Sequence, residues 1–463
     1  MTRRRRPADT AAARVAARGA SPDERLAHLQ QVVRDLLAEA RRQGASAAEA
    51  GVSSDLGLSV SVRLGEVETV EHTRDNGLGV TVYFGRHKGS ASTSDLSPQA
   101  VRETVRAACN IARFTSEDPY AGLADPDMLA REIPMLDLHH PWPIATGEAV
   151  EHARACEDAA RAHDARITNS EGATLDTHQG VFVYGNSHGF LGGYPTSRHS
   201  LSCAVIGEDG AGGMQRDYWY TTARAAGDLD SPEAVGRRAA ERTVARLGAR
   251  RLGTRQAPVL FRTEVAVGLL RSLVGAIRGP ALYRRASFLV DALGKPVFPA
   301  FVRIHEEPLK PRGLGSSPFD DEGVATRPHD LVTAGTLSSY VLDSYAARRL
   351  GTQTTGNAGG VRNLTVDAGS LDLPDLLREM GSGLLVTELM GQGVNLVTGD
   401  YSRGAAGFWV EGGEIAFPVE EITIAGNLRD MFRNLVAVGR DTDCPGSFRT
   451  GSWLIEAMTI AGE

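Results

Sequence analysis

The stretch FRTEVAVGLL, residues 261–270, sets one carboxylate, Glu264, at the start of a strongly apolar run. Phe261, Val265, Leu269, Leu273 and Ile277 recur every four residues, which predicts an apolar helical stripe turned toward a core. Glu264, Gly268, Arg271 and Gly275 fall together on a neighbouring stripe. A carboxylate beside an apolar face needs a counter-charge, and Arg271, two turns on, is the expected partner. The two glycines leave room for another backbone or chain to come close. From residue types alone this is a helix packed on a sheet with one structural ion pair.

Other segments begin like catalytic motifs and break off. His305-Glu306 opens as an H-E-x-x-H zinc helix would, but Pro308 and Leu309 follow and no second histidine arrives on that face. Ser402 in GDYSRG has Asp400 where a nucleophile elbow needs its first glycine, so the strained turn is not encoded. GQGVNL lacks the last glycine of a dinucleotide loop, and no G-x-x-x-x-G-K-[ST] run exists, so nucleotide use has no support. No histidine lies beyond His329, and the adjacent His139-His140 sits in a proline-rich connector, where surface or satisfied roles are the rule. Asn363-Leu364-Thr365 matches a glycosylation acceptor, a match that is idle in a cytosolic chain.

The composition narrows the function classes. With 463 residues, of which 42% are hydrophobic and 23% charged, the chain is long enough for two or three domains with real cores. A net charge of -7 leaves no overall basic field for phosphate backbones, so nucleic acid is not an expected partner. Cys109, Cys156, Cys203 and Cys444 are dispersed, with no C-x-x-C pair, which points to a reducing compartment and a cytoplasmic protein. Lys88, Lys295 and Lys310 are the only lysines among many arginines, the imprint of a GC-rich bacterial genome. The basic start MTRRRRPADT has no apolar core of secretory length, and no apolar span of about 18 residues follows anywhere. Export and membrane insertion are therefore not expected, and residues 1–21 are read as a disordered basic tail.

Helical and strand periods give the organisation. Leu26, Leu29, Val33, Leu36 and Leu37 predict a helix capped by Ser21 and Pro22 and stopped near Gly44. Alternation from Leu58 to Leu64, with two glycine-containing turns beyond, predicts an antiparallel meander, and LSPQAVRETVRAACNIARF a second helix capped by Asp95 or Ser97. The same order recurs through GEAVEHARACEDAARAHD, the strands after it and SPEAVGRRAAERTVARLG. The expected fold is α+β: repeated helix-meander-helix units over 22–115 and 146–248, a connector over 116–145, and a β-rich domain with packed helices over 255–463. Gly412-Gly413 between apolar runs predicts a hairpin in that last part.

Four blocks of the last part carry a resemblance: TEVAVGLLRSLVGAIRGPALYRRASFLVDALGK, SSPFDDEGVATRPHDLVTAGTL, YAARRLGTQTTGNAGG, and the long run from TELMGQGVNL to NLVAVGRD. Together, from about Val259 to Asp441, they resemble the PmbA/TldE subunit of the TldD/TldE family, also called modulator of DNA gyrase. The resemblance implies a cytosolic bacterial metallopeptidase built from two related subunits. The TldD-like subunit carries an H-E-x-x-x-H zinc motif. The corresponding positions here are Thr263, Glu264 and Gly268, which keep the acid and lack both imidazoles.

Zinc chemistry needs about three protein ligands and an activated water. Ligands five apart on a regular helix are also turned about 140° from one another, so they converge only on a distorted helix. The resemblance therefore implies no metal in this chain, zinc on a TldD-like partner, and a vestigial Glu264 kept for packing or for the subunit interface. Cys444 falls near a further ligand position of the active subunit and is read as a structural thiol.

Expected partners are the TldD-like subunit, unfolded peptides including peptide-antibiotic precursors and antitoxins, and a second copy when the chain is alone. The strands around Gly399 to Phe417 are candidates for a pairing edge for extended substrate, or else are core strands. A non-catalytic peptide-binding or regulatory scaffold acting on gyrase is the alternative function, and hydrolysis by this chain through another metal arrangement a third.

Overall fold

The computed structural model describes Ser21–Gly462; the expected basic tail, except for Ser21, lies outside the described residues. Ser21 accepts the Glu24 N–H while the Glu24 carboxylate accepts the Ser21 N–H, a reciprocal cap that starts α1 (Pro22–Arg42). Strands β1 (Ala47–Arg63), β2 (Glu66–Phe84) and β3 (His87–Thr93) follow, then α2 (Pro98–Phe114). Ser97 caps α2, and Asp95 supports the cap by accepting the Ser97 N–H. β1 begins at Ala47, well before Leu58, where alternation becomes readable, because its first inward residues include Ala48 and Ala50, too small to mark a hydrophobic period. Next come α3 (Thr146–His163), β4 (Ile167–Asn186), β5 (Leu191–Glu208), β6 (Met214–Ala223) and α4 (Pro232–Ala245).

The chain divides into two compact units drawn from interleaved segments. The first holds the described residues up to Leu56, with Thr73–Leu123 and Gln179–Thr196. Its strands lie in the order β3-β2-β1-β4-β5, and its core joins Leu29, Val33 and Leu36 of α1 to Val82 and Val183 of the sheet and Val105 and Ala108 of α2. The second unit holds Gly57–His72, Ala124–His178 and everything described from Ser197 on. There the order is β2-β1-β4-β5-β6, with α3 and α4 packed over Val60, Leu175, Leu201 and Trp219.

The rest of the second unit is β-rich, as expected. β7 (Arg255–Phe261) leads into α5 (Thr263–Ile277) and α6 (Gly279–Tyr283). A small sheet is then built from β8 (Ile304–Glu306), β9 (His329–Thr333), β10 (Thr336–Leu337), which precedes α7 (Ser344–Leu350), and β11 (Leu364–Val366). After α8 (Leu373–Met380) come β12 (Gly383–Met390), β13 (Asp400–Glu411), β14 (Glu414–Asn427), α9 (Leu428–Arg433) and β15 (Leu435–Val438). The last strands are β16 (Phe448–Arg449), which joins the small sheet beside β11, and β17 (Trp453–Ala461).

The larger sheet runs β14-β13-β12-β7-β17-β15, and β14 also pairs with β17, so five of its strands close on themselves. Gly412 and Gly413 make the expected hairpin turn, with φ of 59° and 83° and Glu411 opposite Glu414, the conformation that suits a two-residue loop. The closure decides between the two roles left open for β13: bonded to β12 on one side and β14 on the other, it is a core strand with no free edge where substrate could pair, while β14 as far as Phe417 pairs with β13 alone.

α3 and α4 pack at backbone distance where Gly236 of α4 meets the Cys156 carbonyl of α3: a Cβ there would stand 2.0 Å from that oxygen. Gly236→Ala is therefore expected to lower stability by about 1–3 kcal/mol, read by urea unfolding. An unchanged midpoint would show that the two helices part freely.

Candidate functional site

α5 departs from the expected stripe in two ways. Phe261 is the last residue of β7, fully buried, and the helix begins two residues later. Four-residue steps also turn about 40° each on a helix of 3.6 residues per turn, so such a row drifts off any one face. The buried face is Ala266, Leu269, Leu270, Leu273, Val274 and Ile277, while Val265 stays at the edge of a cavity. α5 is an uninterrupted α-helix, without the distortion that ligands five apart would need.

Of the neighbouring stripe, Glu264, Gly268 and Arg271 line one wall of that cavity, whose volume is about 350 Å³, within the range of small-molecule sites, while Gly275 lies outside it against Leu396. The other walls are residues 217–220 of β6, Arg242 of α4, residues 387–389 of β12, Arg403 of β13 and the segment 444–448. A Cβ added at Gly268 would meet nothing within 4 Å, so this glycine opens the cavity and does not receive a closely packed neighbour.

Glu264 does not pair with Arg271. Its Oε1 accepts a 2.5 Å hydrogen bond from Arg242 of α4, and Arg262 stands 3.5 Å from its Oε2. Arg242 also donates to Asp217 of β6 at 3.2 Å. Arg246 lies 3.5 Å from Asp217 and 2.6 Å from Glu388 of β12. Asp217, Arg242 and Arg246 are almost wholly buried. Burial alone would lower the Arg242 pKa, but the pull of Asp217 and Glu264 outweighs it and the group is held above its ordinary value. Glu264 also sits in the first turn of α5, where the helix dipole favours an anion. Arg271 is left to stack over Phe448, its guanidinium 5.6 Å from the ring centre.

These positions do not fit a zinc ion. Thr263 is buried and its hydroxyl is committed to the Thr450 carbonyl at 2.7 Å, away from the cavity. Gly268 has no side chain, and Glu264 is bonded through Oε1 to Arg242 with Arg262 facing Oε2. Among the described residues no group of three or more His, Cys, Asp or Glu is placed to hold a metal ion. Cys444 does line the cavity, but burial and the charge of Glu264 raise its thiol pKa, so it lacks thiolate character at neutral pH. Burial and Cys444 likewise push the Tyr220 phenol up to about 12, and it donates to the Pro445 carbonyl as a neutral group.

The structure thus brings Glu264, Gly268 and Cys444 to one cavity and turns Thr263 away from it. Sequence reasoning missed Asp217, Arg242, Arg246, Glu388 and Arg403. A signal existed for Asp217: it alternates with Gln215, Trp219 and Thr221 on the buried face of β6, where a carboxylate requires a cation.

His305-Glu306 lies on β8 and not on a helix. Glu306 is buried, accepts from Asn357 at 2.8 Å and lies 3.7 Å from His329. Nearby, Asp320 accepts the backbone N–H groups of Glu322, Val324 and Ala358, and Glu322 accepts that of Ser344. Burial outweighs those bonds, raising Asp320 to about 6 and Glu322 to about 7. Ser402 is exposed on β13, and its N–H donates to the Gly393 carbonyl in the loop after β12.

Three segments match the domain families described as PmbA/TldA metallopeptidase domain 1, central domain and C-terminal domain, at residues 48–112, 139–247 and 254–462. The chain is 54% identical over 416 residues to the metalloprotease PmbA of Escherichia coli O157:H7, covering 90% of this chain and 92% of that one. It is 49% identical over 437 residues to a metalloprotease PmbA homolog of Haemophilus influenzae, covering 94% and 96%. A crystal structure from Bacteroides thetaiotaomicron, described as a modulator of DNA gyrase, superposes with a TM-score of 0.88 at 26% identity, over 94% of this chain and 98% of that one.

Two outcomes are expected. Arg242→Leu removes the only side-chain hydrogen bond to Glu264 Oε1 and leaves Asp217 with Arg246 and Glu264 with Arg262 at 3.5 Å each, so it should lower stability by about 3–5 kcal/mol, more than Glu264→Gln, which leaves Arg242 its bond to Asp217; the reverse order in urea unfolding would refute the network. For the acidic pair, the folded state holds protons more tightly than the unfolded chain. Its contribution is therefore full below the ordinary values of 3.8 and 4.5 and is lost as pH rises through about 6 for Asp320 and about 7 for Glu322. Glu322→Gln should flatten the fall in stability across that window, whereas stability curves parallel to the parent's would show that Glu322 is not the titrating group.

Proposed function

This chain belongs to the PmbA/TldA metallopeptidase family, and from that premise we propose that it is the non-zinc subunit of a two-subunit peptidase that cleaves unfolded peptides, with zinc on a TldD-like partner. The observation that carries this reading is the double claim on Glu264. A carboxylate held by Arg242 through Oε1 and faced by Arg262 at Oε2, with a committed threonine before it and a bare glycine four residues on, has no imidazole beside it with which to share a zinc ion. Hydrolysis then needs the metal-bound water of the partner, with the partner's glutamate as proton acceptor.

The part left to this chain is to bind and orient. β6 is an edge strand of its sheet, and its Tyr218, Trp219 and Tyr220 line the cavity. It replaces the strands near Gly399 as the place where an extended peptide would add its backbone, which gives affinity with loose sequence selectivity. Precursors of peptide antibiotics and antitoxins, as unfolded chains, suit such a site. A related partner also makes self-pairing through the same face the expected state of the isolated chain. The reading places the pair in the cytoplasm.

The test is reconstitution with a TldD-like subunit. Peptide hydrolysis should occur in the mixture alone and stop on chelation. Glu264→Gln in this chain should leave turnover within about threefold, under about 1 kcal/mol of barrier. Chelator-sensitive turnover by this chain alone would make it an independent hydrolase, and a mixture that binds peptides without cleaving them would make it a scaffold.

A further inference from the structure

Three acids and three arginines line the cavity, but Arg246 and Arg262 behind the wall also pair with those acids, so the local charges do not cancel. Its three acids all have an arginine within ion-pair distance, Asp217 with Arg242 and Arg246, Glu264 with Arg242 and Arg262, and Glu388 with Arg246, although Oε2 of Glu264 accepts no hydrogen bond. Two arginines that line it, Arg271 and Arg403, have no carboxylate within ion-pair distance among the described residues. This local excess of cation occurs in a chain of net charge -7, so it does not follow from composition.

The polar atoms nearby are also incomplete. Arg403 Nε is buried without a hydrogen bond, and the only bond of its guanidinium to the backbone is a long one, 3.4 Å, to the Leu389 carbonyl. The Arg403 head lies beside the hydroxyl of Tyr401, which burial keeps neutral and which cannot balance the charge. Thr387, two residues from Leu389 on β12, lines the same cavity. It is 7% exposed, and its hydroxyl has no partner. A buried hydroxyl and a buried guanidinium N–H left without acceptors are expensive unless something accepts from them.

The remaining lining fixes the class of acceptor. Trp219, Tyr220, Val267 and Phe448 give apolar and aromatic walls that suit an amino-acid side chain, and the edge of β6 suits its backbone. A planar carboxylate can take paired N–H bonds from a guanidinium fork while the hydroxyl donates to its second oxygen.

We propose that this cavity is a carboxylate-binding subsite, in which Arg403, Arg271 and Thr387 hold the acidic group of a bound peptide, whether its C-terminal end or an Asp or Glu side chain. The inference rests on the reading that peptides enter this cavity. It goes beyond that reading by giving the non-zinc subunit a substrate preference of its own. Arg271, the more exposed of the two cations, meets the incoming carboxylate, and Arg403 with Thr387 seats it.

The test uses three fluorescein-labelled hexapeptides of alanine and serine: one with a free C-terminal acid, one amidated, and one amidated with an internal glutamate. Their binding to the full chain is followed by anisotropy, and their hydrolysis in the mixture with the TldD-like subunit is followed in parallel. The acid should bind about tenfold more tightly than its amide, and added salt should narrow the gap. Arg271→Gln and Arg403→Gln should each shrink the gap, and the double variant should erase it. Tight binding of the amidated glutamate peptide identifies the side chain as the source of the carboxylate, and weak binding identifies the chain end.

Equal binding of acid and amide by the parent chain, or an unchanged gap in Arg271→Gln, whose side chain is exposed and whose loss leaves the core intact, would overturn the subsite. Hydrolysis in the mixture would then still uphold the peptidase reading. An acid preference without hydrolysis in any mixture would uphold the subsite and sink the peptidase reading.

Discussion

The second unit is organised around one buried cation. Arg242, on α4, bonds Asp217 of β6 and Glu264 of α5, and so ties the last strand of one sheet to the helix that follows the first strand of the next. Each of the three groups would be expensive to bury alone, and each becomes tolerable only because the other two are fixed by their own elements. Arg246, one turn further along the chain, repeats the device toward Glu388 of β12. The cavity exists because these pairs hold its walls at the length of a side chain without filling the space between them.

This arrangement also gives Glu264 a structural task in the cavity wall. In a zinc site the carboxylate needs a free lone pair and a water beside it. Here Oε1 of Glu264 accepts from Arg242, Oε2 has Arg262 at ion-pair distance without a hydrogen bond, and the group works as a strut. Gly268 keeps the space on the next turn open instead of filling it with a ligand. The cleft is thus held open by ion pairs and needs no metal to keep its walls apart.

The closed sheet has a further consequence. With β13 enclosed between β12 and β14, and β14 joined to β17, the barrel strands spend their backbone groups on one another. Edge character is left to short or terminal strands such as β6, which borders the cavity. Binding chemistry therefore gathers where the closed sheet contributes side chains, Thr387 and Arg403, and the open sheet contributes backbone.

What the sequence settled by itself is what depends on local period and local turns. Glu264, Gly268 and Arg271 share a stripe because a helix repeats every 3.6 residues wherever it is placed. Gly412-Gly413 turns a hairpin because only such residues accept that backbone without strain, and Ser21 caps α1 through atoms three residues away. The family was legible too, through long ordered blocks.

What only the tertiary structure decided is the identity of partners. Arg271 is near Glu264 along the helix, yet the partner is Arg242, 22 residues upstream on another helix, with Asp217 a further 25 residues earlier on a strand. Period also misassigned Phe261 to the helix and left the edge or core status of β13 open. Charge pairing, strand edges and orphaned atoms such as Arg403 Nε depend on which elements meet in space. No local rule carries that information, because the energy of a buried charge is set by everything within a few ångströms and not by its neighbours in the chain.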